Sequence, residues 1–172
     1  MASAEPIALD LGTNGTRVEW AADGVRALGA ADPAEPGGPV WRLEGELDWE
    51  AVDSLRVVSA AFEDGRLLAL VAVLPAGAAG HDEAVLRGAL VEPDGEVLEL
   101  AEALLSMQYE ANGSPSRIGL ELYTDPEAVP LRVAADREQA EAAAEGARAV
   151  IPMTFRMEGA RGSGLLELVS GA

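Results

Sequence analysis

Residues 56–75 read RVVSAAFEDGRLLALVAVLP. Two apolar runs flank Asp64-Gly65, and neither alternates cleanly between apolar and polar residues. A strand apolar on both faces is covered on both sides, or has one face lining an apolar cavity. A two-residue Asp-Gly loop suits a type I′ turn, whose two central positions need positive φ. That turn would set Glu63 opposite Arg66 as a cross-strand charge pair. The stretch therefore reads as a buried antiparallel hairpin.

The same punctuation recurs outward along the chain. Glu92-Pro93-Asp94-Gly95 fits a type I turn followed by a left-handed glycine. Asn112-Gly113 separates two further strand-like runs. "ARGS" at 160–163 separates MTFRMEG from GLLELVS, and Thr13-Asn14-Gly15 separates IALDLG from TRVEWAAD. Strands at roughly ten-residue intervals with turn signals between them predict an antiparallel sandwich or barrel, and consecutive hairpins favour an up-and-down meander. Residues 30–39, with three prolines and two glycines, read as an exposed loop. Residues 136–147, DREQAEAAAEGA, read as a short helix, with Asp136 and Gln139 as a capping box and Gly146 at its end.

The 172 residues suit one domain, 1–172. No apolar run reaches membrane-spanning length, and the N-terminus lacks a basic region followed by an apolar one, so a cytoplasmic protein is expected. There is no cysteine and one histidine, which excludes disulfides, thiolate chemistry and a multi-histidine metal site; no metal or cofactor is expected. Thirty acidic residues face twelve basic ones, for a net charge of −18, and every basic residue is arginine. Such a charge repels nucleic acid, and the absence of lysine excludes Schiff-base chemistry and a Walker-type phosphate loop. No G-x-S-x-G elbow is present.

Three segments, AVLPAGAAGHDEAVLRGALVEPDG, LLSMQYEANGSPSRIGLELYTD and MTFRMEGARGSGLLELV, carry a resemblance. Gly80-His81, the Gly119–Leu122 strand, Glu158-Gly159, Gly162 and Gly164 anchor it. Over roughly residues 67–170 the chain resembles the C-terminal half of AttH-like proteins, the group that includes the carotenoid 1,2-hydratases. The resemblance implies a mainly β, antiparallel lipocalin-like barrel or sandwich. That family carries two such β-domains, with its cavity within or between them, and this chain has room for one. The missing partner implies a homodimer or a pocket that performs no chemistry.

His81 is the single side chain that titrates near neutrality, and it stands beside Asp82 and Glu83 as a general acid or base would. Its alternative is a surface histidine among acids. Glu121 and Tyr123 share one face of a strand whose other face carries Ile118, Leu120 and Leu122. On an inward face that pair would serve acid chemistry or bind a hydroxyl; on an outward face it is an ordinary wet surface. Arg117 lies on the same face and would neutralise Glu121. Trp20, Trp41 and Tyr109 are candidates to line a ligand pocket, against a core role for the tryptophans. Three functions follow: binding a hydrophobic small molecule in a barrel cavity; a cofactor-independent hydratase, isomerase or cyclase using His81, Glu121 and Tyr123; or a homodimeric interaction domain without ligand.

Overall fold

The computed structural model describes residues 5–13, 15–29, 40–138, 143–145 and 147–171. The proline-rich segment 30–39 lies outside them. The chain opens with strands β1 (Ile7–Thr13) and β2 (Thr16–Trp20), helix α1 (Ala22–Leu28) and strand β3 (Trp41–Glu44). Then come β4 (Val52–Phe62), β5 (Leu67–Pro75), β6 (Val85–Val91), β7 (Val97–Glu99), β8 (Glu102–Tyr109), β9 (Pro115–Tyr123) and β10 (Leu131–Arg137). Strands β11 (Ala143–Glu145), β12 (Arg148–Met157) and β13 (Ala160–Ser170) complete the order. The fold is mainly β, antiparallel and lipocalin-like, as expected.

The main sheet runs β7-β6-β5-β4-β13-β12-β10-β9-β8, with β11 beside β12. Its two ends belong to one chain run. Within residues 97–109, β7 pairs with β6 and β8 pairs with β9. At the break, the Leu100 amide donates to Gly88 O on β6 at 2.8 Å, and the Ala101 amide donates to Tyr123 O on β9 at 2.7 Å. This bent run draws the edges of the curled sheet together. Gly88 makes room for it: a Cβ there would lie 2.8 Å from Leu100 Cδ1 and 2.9 Å from Leu70 Cδ1.

The inward face of the curl holds a filled core that includes Val58, Leu68, Leu70, Leu120, Met153 and Phe155. The outward face of β4, β5, β6 and β13 carries Leu55, Val57, Ala69, Val71 and Leu165 under a second layer, the sheet β1-β2-β3 with α1. Strands β4 and β5 are therefore buried on both sides, which explains why their sequences fail to alternate. A curled sheet with this few strands has an interior that side chains alone can fill.

Several local expectations are corrected. Residues 136–147 do not form a helix where they are described. Asp136 and Arg137 end β10, opposite Thr154 and Met153, and residues 143–145 form β11; Gln139 and Gly146 lie outside the described residues. Two ladders capture β10 and outweigh the alanine-rich segment's weak helical preference. The helix is instead α1, with Ala22, Val25 and Leu28 buried on one side. The Asp64-Gly65 turn contains three loop residues, not two. Phe62 N donates to Arg66 O, Gly65 N donates to Phe62 O, and only Gly65 has positive φ, 93°. This is a type I turn with a glycine bulge, so Glu63 stays in the loop and Arg66 pairs with Asp64 and Glu158, both at 2.7 Å. The last hairpin turns at Glu158-Gly159, with φ of 50° and 80°, a type I′ loop between Met157 and Ala160; ARGS lies within β13. The turn at 92–95 forms as expected, with Gly95 N donating to Glu92 O and a φ of 94°.

Candidate functional site

The expected site residues are distributed over three places. Trp20 and Trp41 lie in the core between the two layers. The Trp20 indole donates to Ser59 Oγ at 2.8 Å. The Trp41 indole donates to the Glu167 carboxylate, which Arg148 also holds. Both tryptophans fill the layer interface. Burial pushes the Glu167 carboxyl up, outweighing the attraction of Arg148.

Glu121, Tyr123 and Arg117 stand on the outward face of β9, because Ile118, Leu120 and Leu122 take the inward face. Arg132 lies 3.7 Å from Glu121, Tyr123 Oη donates to Glu121 at 3.3 Å, and Arg117 lies 3.6 Å from Asp136. Desolvation first, then the Glu121 carboxylate, push the Tyr123 phenol up. This face bears a shallow depression of ≈ 570 Å3 over Gly119 and Ala134, edged by Leu104, Glu121, Arg132 and Arg156. Glu121 thus lines a surface depression and not the barrel interior.

His81 opens a 3-10 turn, His81–Glu83, in the connection from β5 to β6. Its ring lies against the guanidinium of Arg56, whose Nη2 is 2.6 Å from Nε2 and also touches Nδ1. A guanidinium only donates, so this contact favours the neutral form of the ring, which presents a lone pair. Loss of water on that side first, then the charge of Arg56, hold His81 below its ordinary value. Asp53 and Asp82 act weakly the other way. His81 lies on the β5–β6 connection against the inward-pointing Arg56, and Glu121 stands on the outward face of β9, so no single acid–base centre joins them.

Arg56 is the residue that sequence reasoning passed over. It alternates with Val58 and Ala60 on β4, so it points inward, and it is 7% exposed. Its cross-strand neighbours are Ala72 and Leu168. The sheet is parted at this end of the barrel. β6 pairs with β7 only over Ala89–Val91, and no strand pairs with Val85–Arg87 on that side among the described residues. Leu86, Leu105, Met107 and Leu168, all packed against the inward core, are only partly buried here. Tyr109 ends β8 at the same mouth, half exposed, with its hydroxyl 3.7 Å from Met107 Sδ. Arg137, opposite the core residue Met153 and in step with Val133 and Ala135, takes the inward face at this end of β10. The signal was present in the sequence: an arginine at an inward position of a strand otherwise apolar on both faces.

Among the described residues no cluster of metal-ligating side chains occurs, and no helix is long and apolar enough to cross a membrane. Comparison with protein families and with curated proteins finds no match for this chain.

Proposed function

We propose that this protein binds a hydrophobic small molecule at the open end of its barrel. The observation that carries this reading is the parting of β6 from β8, which leaves the inward side chains Leu86, Leu105 and Met107 half buried. Partly exposed apolar side chains converging on a few polar groups make the usual lining of a small-molecule site. The resemblance to AttH-like proteins, whose cavities lie within or between β-domains, agrees with it.

Titration with Nile red, a neutral dye that brightens in apolar surroundings, tests the reading. Saturable binding at one site, lost in Met107→Lys but kept in Leu104→Lys, is the expected result. Absence of saturable binding, or equal loss in both variants, removes the proposal. A second reading, self-association, is favoured by Leu104, 48% exposed beside the outward depression. It predicts a dimer of the wild type in light scattering and a monomer of Leu104→Lys.

A further inference from the structure

Among the described residues the most buried arginine has no acid partner. Thirty carboxylates surround twelve arginines in this chain, and exposed arginines such as Arg17, Arg42 and Arg132 each sit within ion-pair reach of one. Arg56 is the only arginine in the buried class among the described residues, and among them it contacts no carboxylate. Its polar partner there is the neutral His81 ring. A buried cation is costly unless it is paired, and imidazole is a weak substitute for an anion.

The geometry points to Arg56 as the head-group site for a carboxylate carried on an apolar body. This inference rests on the small-molecule reading above and names the ligand class for the same mouth. The guanidinium fork suits the two oxygens of a carboxylate. Leu86, Leu105, Met107 and Leu168 stand at the same end to take the apolar body. Arg137 adds a second cation on the inward face of that end. His81 lies outside Arg56 on the connection 76–84, which contains Gly77 at a φ of 78°, so an incoming carboxylate displaces an exposed ring and not a core side chain. The overall charge of −18 disfavours anions in general, so an anion held here is held by the local charge of Arg56 and not by the protein's overall field.

Calorimetric titration with dodecanoate and dodecanol, which share a chain and differ in the head, provides the test. The wild type is expected to bind dodecanoate about tenfold or more tightly than dodecanol, as a hydrogen bond to a charged group implies. Arg56→Gln should abolish that preference and leave dodecanol binding unchanged. His81→Ala, which removes the competing acceptor without touching the buried cation, should tighten dodecanoate severalfold and leave dodecanol alone; it decides the matter if Arg56→Gln fails to fold. Equal affinity for the two compounds in the wild type, or a preference indifferent to both substitutions, overturns the carboxylate assignment while the small-molecule reading stands. Binding of neither compound overturns both.

Discussion

Trp41 and Arg148 meet on one carboxylate. The indole of Trp41 on β3 and the guanidinium of Arg148 on β12 both donate to Glu167, which is 2% exposed, and Arg148 also lies 5.3 Å from the centre of the Trp41 ring. This cluster ties the small sheet to the large one through polar bonds inside an apolar interface. Removing the carboxylate leaves two donors without an acceptor, one of them charged. Glu167→Ala should destabilise the fold by about 3 kcal/mol in chemical denaturation. Trp41→Phe, which removes one donor and keeps the ring, should cost roughly 1 kcal/mol. A loss below that for Glu167→Ala would mean that the two layers do not depend on this carboxylate.

Gly164 sets how closely β13 approaches β4. A Cβ at this position would press on Ser59 O and lie 2.8 Å from Ala60 Cα and 2.9 Å from Phe155 Cε2. The obstacles include backbone, which does not move aside as a flexible side chain would, and the ring of Phe155 covers the space the glycine leaves. Gly164→Ala should therefore destabilise by ~3 kcal/mol through overpacking, read as a fall in melting temperature. A neutral effect would show that the two strands have room to separate.

The strand RIGLELY, 117–123, divides its energetics by face. Leu120 is buried in the inward core, whereas Glu121 faces outward beside the exposed Arg132. Leu120→Ala should cost 2–5 kcal/mol. Glu121→Gln should change stability by less than about 0.5 kcal/mol, because an exposed ion pair is screened by water. Comparable losses from the two substitutions would contradict this assignment of faces.

How far the sequence disclosed this arrangement depends on where each signal resides. The two-faced apolar hairpin 56–75 and the turn at Glu92–Gly95 were legible because hydrophobic period and turn chemistry are local. The bend at Leu100-Ala101 was not, since neither glycine nor proline marks it and the cause is pairing with two different neighbours, Gly88 and Tyr123. The segment 136–147 misled because composition speaks for a helix while the ladders of Arg117 and Thr154 with Asp136 are set at a distance. The faces of β9 were readable but their orientation was not: alternation separates two sides without saying which one is inside. Alternation therefore points to Glu121 and Tyr123 as readily as to a wet face, while Arg56, whose interest lies in its surroundings, reads as one more arginine.

The contact between Arg56 and His81 makes the lone histidine a reporter of the mouth. Arg56, Asp53 and Asp82 are the charged groups that act on it, and desolvation and Arg56 prevail. Its folded pKa therefore lies below the ordinary 6.5. The folded protein then binds fewer protons than the unfolded chain in the window between the two values. His81 contributes stability that is complete above pH 6.5 and is lost as the pH falls through the lowered folded value. An NMR titration of the single histidine should give a midpoint below 6.5 in the wild type. Arg56→Gln removes the charge and should move that midpoint upward, and His81→Gln should flatten the acid limb of the stability profile. A wild-type midpoint at or above the ordinary value would mean that the ring does not rest on the guanidinium, and that Arg56 finds its partner elsewhere.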